Sequence, residues 1–177
     1  DIFQLHNTLG RADHHGTLSI DRVLDDVIPA FEKLRDAGKT RFLGFTAKGE
    51  AGDLHKLIET EFFASAQIFY NLLVPSAGEP IPQGYPADDF QLLLSAAHDH
   101  GVGAIGVRVL AGGALTGTEA RHPLGMPSVA PIGSNTDYGT DVGRALQFMP
   151  LVVTRHSSAD SVAGAHDQSS SRAGLFP

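Results

Sequence analysis

Residues 37–47, AGKTRFLGFTA, decide the fold. They follow an apolar-periodic run ending in EKLRD and set Gly38 where a helix C-terminus needs a left-handed residue. They then continue into RFLGFT, an apolar segment of strand length. This is a helix handing over to a buried strand. Gly44 lies inside that strand. Its missing side chain either admits the close approach of a ligand or another backbone, or relieves crowding in a barrel interior.

Upstream, the segment from Ser19 to Ala37 is expected to be helical, with Ser19 as N-cap and Val27, Ala30, Phe31 and Leu34 on one apolar face. Pro29 breaks a helix interior, so a kink or a fresh helix start is expected near Asp25 and Asp26. Before a polar turn with Asp13, His14, His15 and Gly16, residues 1–7 (DIFQLHN) read as an apolar strand with His6 at its polar end. The chain opens on Asp1 with no initiator methionine and is already in a strand at Ile2, so it is expected to begin in mid-domain.

Downstream, Asp53 is expected to cap a helix with Leu54, Leu57 and Ile58 turned inward, and Ala64 to Leu73 reads as a third strand. Residues 74–87, with Pro75, Pro80, Pro82 and Pro86, form a long loop of the kind that more often serves function than mere connection. Asp88 or Asp89 is expected to cap a helix through Leu92, Leu93 and Ala96 to His100, stopped by Gly101, and Gly103 to Val109 is the fourth strand. Strand and helix alternate, which means parallel strands clad by helices. The fold class is therefore α/β, a partial (β/α)8 TIM barrel of about four to five βα units, since a whole one takes roughly 250 residues.

Beyond Gly117, residues 121–135 read as a loop, Asp141 to Met149 as a short helix and Leu151 to Thr154 as a fifth strand. The expected division is a partial barrel over residues 1–150 and a degenerate or disordered serine-rich tail over 151–177.

Charge and composition exclude several partners. A net charge of −7 with no basic stripe opposes binding to a phosphate backbone. The absence of cysteine removes disulfides, thiolate metal sites and thiol nucleophiles together, and fits a reducing compartment; the expected location is cytoplasmic. No apolar run approaches the length of a membrane span, and no signal peptide is visible.

Few side chains carry chemistry. His6, at a strand end, is either a general acid that polarises a carbonyl or a histidine satisfied by the backbone. His14 and His15 with His6 and Asp13 lack the spacing of a metal site, and none is expected. Gln67 and Asn71 sit near a strand end, where amides bond a planar amide ligand or tie down neighbouring loops. Gly112, Gly113 and Gly117 make a glycine-rich turn whose N–H groups can hold a pyrophosphate, although neither dinucleotide nor phosphate-loop motif is present. Arg108 in an apolar strand needs a partner, either an anion at the barrel mouth or a neighbouring Asp.

Taken in order, DIFQLHN, AFEKLRDAGKTRFLGFT, AQIFYNLL and GVRVLAGGALTG resemble the aldo-keto reductases over roughly residues 1–145. The resemblance implies a (β/α)8 barrel that uses NADP, or NAD, to reduce aldehydes and ketones or sugar-like substrates through an Asp, Tyr, Lys and His tetrad. By that likeness His6 is the tetrad histidine and Gln67 bonds the nicotinamide carboxamide. Thr46 and Ala47 stand where a Ser-Asn pair shares that duty, and Ala47 lacks the group for it. Val107 takes the place of an aromatic residue that stacks on nicotinamide. Arg108, Val109, Leu110, Ala111 and Gly113 fall on the loop over the pyrophosphate, and Arg108 brings a charge to it. The tetrad Asp, Tyr and Lys would lie before Asp1, so the chain is expected to be inactive alone. Two alternatives stand beside this: a non-catalytic cofactor-binding module resembling potassium-channel β subunits, and a non-functional gene fragment.

Overall fold

The computed structural model describes residues 1–11, 16–126, 128 and 130–151. Along the chain come β1 (Ile2–Leu5), the two-residue strands β2 (Thr8–Leu9) and β3 (Thr17–Leu18), and α1 (Ile20–Arg22). A π-helical turn at Val23–Val27 leads into α2 (Ile28–Asp36), β4 (Phe42–Thr46), α3 (Ala51–Glu59) and β5 (Ser65–Phe69). Then follow α4 (Leu93–Asp99), β6 (Gly103–Val107), a 3-10 segment at Ala111–Thr116 and α5 (Tyr138–Leu146). The four longer strands form one parallel sheet in the order β1-β4-β5-β6, the arrangement that helix-length crossovers produce.

The handover at residues 37–47 is a complete Schellman motif. Lys39 N–H donates to Leu34 O at 3.0 Å and Gly38 N–H to Arg35 O at 2.9 Å, with Gly38 at φ +69°. A Cβ on Gly38 would meet nothing within 4 Å, so only backbone strain opposes a side chain there. Gly38→Ala is therefore expected to cost about 1 kcal/mol, read as a lower urea midpoint at unchanged slope. An unchanged midpoint would mean that the motif does not hold the helix end.

Near Asp25 and Asp26, where the sequence predicts a kink or a fresh helix start, the chain forms a π turn at Val23–Val27, and Pro29 sits in the first turn of α2, where its missing N–H costs no helical bond. Ser19 caps α1 as expected, its Oγ accepting from Arg22 N–H at 3.2 Å. Other caps differ from the sequence reading. Glu50, not Asp53, precedes α3, and Asp53 lies inside the first turn paired with Lys56 at 3.2 Å. Neither Asp88 nor Asp89 caps α4: Leu92, at φ 60°, is its N-cap. Leu92 and Leu94 N–H donate instead to the Ser76 and Ala77 carbonyls of the long loop. Asp137 caps α5, accepting from Thr140 N–H at 2.9 Å and Thr140 Oγ1 at 2.7 Å, and these bonds hold its carboxyl below the ordinary value.

Successive strand residues point to opposite faces. Leu5, Leu43, Phe45, Ala66 and Ile68 are buried toward the helices. Phe31 of α2 packs edge-on against Phe3 at 5.0 Å and against Phe63, which meets Phe45 at 5.2 Å. Gln4, Gly44, Ser65 and Gly103 form a register row on the other face, and Thr46, Gln67 and Ile105 belong to the next row. A Cβ on Gly44 would stand 2.5 Å from Ser65 Oγ and 2.9 Å from Ser65 O, so this glycine relieves crowding between strands.

Two strands are shorter than predicted. β5 ends at Phe69, and β6 ends at Val107, so Arg108 is outside the strand with a left-handed backbone at φ 59°. The predicted helix near Asp141 exists but begins at Tyr138. Of the expected fifth strand, Leu151 is helical, and residues 152–154 lie outside the described residues with the rest of the tail.

Candidate functional site

The strands deliver three polar side chains to one end of the sheet. Leu5 pairs with Phe45 in register, which brings the next residue, His6, beside Thr46; Thr46 in turn pairs with Gln67. His6 Nδ1 lies 3.0 Å from Thr46 Oγ1, and Thr46 Oγ1 donates to Gln67 Oε1 at 2.8 Å. A hydrogen-bonded row thus spans three adjacent strands, from just past the end of β1 through the end of β4 to the middle of β5, toward the carboxyl side where such folds place their chemistry.

The backbone beyond the strands locks this row. Leu9 N–H donates to Lys48 O at 2.8 Å and Glu50 N–H to Leu9 O at 3.2 Å, tying the segment after His6 to the segment after Thr46. Gly49, at φ +123°, permits the crossing: a Cβ there would sit 2.0 Å from Leu9 O. Ala47 is wholly buried, and its N–H donates to Gln67 O at 2.8 Å. It contributes backbone rather than a ligand contact.

His6, Thr46 and Gln67 line a cavity of about 250 Å³ together with Phe69, Val107 and Arg108. Lys48 and Ile132 complete its wall. No carboxylate lines it, so its charge is positive within a chain of net −7. Arg108 makes no ion pair or side-chain hydrogen bond with any described residue. Asp141, which shares a small hollow with Arg108, is already engaged. Arg144 Nη1 reaches it at 3.1 Å, while Ser134 Oγ and Thr136 Oγ1 donate to it at 2.7 and 2.6 Å.

Asn71 takes the loop-tying role that its position allowed. Its Nδ2 donates to Arg108 O at 2.9 Å, and its Oδ1 accepts from Leu73 and Val74 N–H. That bond holds Arg108 in its left-handed conformation, a backbone state that costs of order 1–3 kcal/mol and tends to occur at functional positions.

The rest of the predicted cofactor set is spread over neighbouring hollows. Val109 and Leu110 line a larger apolar cavity of about 610 Å³ with Tyr70, Leu115 and Phe148. Ala111 is half-buried against the core. Gly113, at φ +110°, borders a third hollow of about 230 Å³ beside Arg121, whose Nη1 donates to Gly112 O at 2.9 Å and whose guanidinium lies 4.9 Å from the Tyr138 ring centre.

A family model described as the aldo/keto reductase family matches residues 1–171. The chain belongs to the aldo/keto reductase family. The family's fold is the (β/α)8 barrel, and the four parallel strands with their helices are part of that architecture. Its members are NAD(P)H-dependent oxidoreductases acting on small carbonyl compounds. A comparison with curated proteins found no match. Among the described residues no helix is long and apolar enough to cross a membrane, and no three His, Asp or Glu side chains are grouped to hold a metal ion. The turn with Asp13, His14 and His15 lies outside the described residues.

Lys48 and Ile132 were missed by sequence reasoning. Lys48 stands two residues past the end of β4, so the strand-end rule would have found it. Ile132 comes from the proline-rich loop, where no period marks an inward residue.

Proposed function

We propose that this chain forms the histidine and nicotinamide side of a carbonyl reductase that takes NADPH, or NADH, and reduces aldehydes, ketones or sugar-like substrates or runs the oxidation in reverse. The single observation that carries the reading is the row His6–Thr46–Gln67 on the wall of one cationic cavity.

The residues fit a nicotinamide. Gln67 offers an amide, both donor and acceptor, complementary to a carboxamide. Phe69 and Val107 give it apolar walls, and Arg108 and Lys48 bring uncompensated positive charge toward a phosphate. The glycine turn at Gly112 and Gly113, with Arg121 beside it, receives the rest of the pyrophosphate in this reading. When bound, the cofactor supplies the hydride. His6 acts on the substrate: its Nδ1 is held by Thr46, while Nε2 has no partner among the described residues and can reach a carbonyl oxygen. When Nε2 carries the ring proton, a donor fixed there stabilises the negative charge that builds as the carbonyl is reduced.

None of the three tyrosines lines this cavity. Tyr70 borders the apolar cavity next to it, Tyr85 packs on Arg144 and Tyr138 on Arg121. In this reading the proton donor, with the tetrad Asp and Lys, comes from sequence outside these residues, and the chain alone does not turn over substrate. The same observation favours a second reading, a cofactor-binding module without catalysis.

NADPH fluorescence titration of the chain tests the site. Saturable binding is expected, and Gln67→Leu is expected to weaken it about tenfold by leaving an amide unpaired. No saturable signal, or an unchanged affinity in the variant, would overturn the assignment. Aldehyde-dependent oxidation of NADPH by the full-length polypeptide separates the readings: turnover means a reductase, binding without turnover the module.

A further inference from the structure

Thr46 is almost completely buried, and its hydroxyl makes two hydrogen bonds, to His6 Nδ1 and to Gln67 Oε1. A hydroxyl owns one proton. When that proton is donated to Gln67 Oε1, the bond to His6 survives only if Nδ1–H is the donor, so a neutral His6 carries its proton on Nδ1 and leaves Nε2 bare. Turning the Gln67 amide over, so that its NH₂ faces Thr46, reverses every bond. Gln67 then donates to Thr46, Thr46 donates to Nδ1, and the proton of His6 sits on Nε2.

We propose that Thr46 is a positioning residue that transmits the orientation of the Gln67 amide to the tautomer of His6. The two tautomers differ in what they offer the cavity. Neutral His6 protonated on Nδ1 presents an acceptor at Nε2 and cannot hold a carbonyl oxygen. Protonated on Nε2, it presents a donor. The Gln67 amide in the structure turns Oε1 toward Thr46, the orientation that goes with the first of these. In the function proposed above, a carboxamide has a carbonyl at one end and an NH₂ at the other, so its grip on Gln67 selects which end of that side chain faces Thr46. A carboxamide N–H that claims Gln67 Oε1 turns the Gln67 NH₂ toward Thr46 and arms His6 as a donor. This step moves no covalent bond other than the imidazole N–H, which exchanges through water.

The proposal rests on the site reading only for the ligand; the coupling itself is measured without one. The probe is the full chain with ¹⁵N-labelled histidine, at a pH of about 8.5, well above the ordinary imidazole range. Long-range proton–nitrogen spectra distinguish the protonated from the bare ring nitrogen, with His6 assigned by His6→Gln. The ligand-free chain is expected to carry the His6 proton mainly on Nδ1. Gln67→Met touches no atom of His6 yet is expected to lower the Nδ1–H to Nε2–H ratio about fivefold, the size of one ordinary hydrogen bond. In a Thr46→Val background the same Gln67→Met change is expected to leave the ratio unmoved, and Thr46→Ser to restore the response. An equal response to Gln67→Met with and without the Thr46 hydroxyl would overturn the coupling, as would a ligand-free ratio that favours Nε2–H. Adding NADP⁺ is expected to shift the wild-type ratio toward Nε2–H and leave that of Thr46→Val unchanged. Binding of NADP⁺ without that shift overturns the coupling alone. Absence of binding, with the ligand-free responses intact, leaves the coupling standing and sinks the cofactor reading.

Discussion

Phe45→Ala is expected to destabilise the chain by about 3–5 kcal/mol, enough to remove a large part of the roughly 5–15 kcal/mol that holds a domain of this size. Phe45 is wholly buried and stands where sheet and helix layers meet, with Leu5 and Ala66 as its register partners and the Phe63 ring 5.2 Å away. Phe63 also meets the rings of Phe31 and Phe62. Truncation leaves a hole beside Phe63, whose ring is held by Phe31 and Phe62 and so has little freedom to collapse into it. Urea unfolding followed by circular dichroism measures the loss. The wild-type chain is expected to show one cooperative transition, and the variant a lower midpoint. Leu34→Ala is the control, since Leu34 is 37% exposed and should cost little. Equal losses at the two positions would contradict the packing. A broad, non-cooperative wild-type transition would favour the gene-fragment alternative, which the two outer strands β1 and β6, each with one unpaired edge in this sheet, make a real contest.

The parts of the fold legible in the sequence are those where several local rules agree. Gly38 and Gly101 both end helices in a left-handed residue, and the apolar run after each is a strand of the sheet. His6 and Thr46 could be placed at strand ends, and Gln67 on the neighbouring strand, from pattern and family likeness. That one cavity joins them depends on pairing register, which no local pattern contains. Arg108 shows the opposite case. The apolar pattern of GVGAIGVRVL continues past it, so the strand was drawn too long. The strand ends where Arg108 turns left-handed, and its carbonyl there is bonded by the side chain of distant Asn71. The α3 and α4 caps failed for a similar reason. Aspartates near a helix start are cheap signals, and at α4 the first-turn N–H groups are satisfied by carbonyls of the long loop instead.

Under the proposed reductase reading, in a polypeptide that also carries the rest of the tetrad, His6→Ala is expected to lower kcat/KM for aldehyde reduction by about 100-fold or more while NADPH affinity stays essentially unchanged. The size follows from what the imidazole does. A hydrogen bond to a ground-state carbonyl is modest, but a donor aimed at an oxygen that gains charge during hydride transfer strengthens as the reaction proceeds, and its removal falls on kcat. The affinity expectation follows from geometry. His6 reaches the cavity from β1, and Gln67, the proposed carboxamide partner, stands on β5 with Thr46 between them, so deleting the imidazole leaves the cofactor contacts in place. Steady-state kinetics beside fluorescence titration read the two quantities separately. His6→Gln, which keeps a donor on a shorter reach, is expected to fall between wild type and His6→Ala. A loss below about tenfold in His6→Ala would mean that the oxygen is polarised by another group. Lys48 and Arg108, the other cations on that cavity wall, are then the residues to replace next.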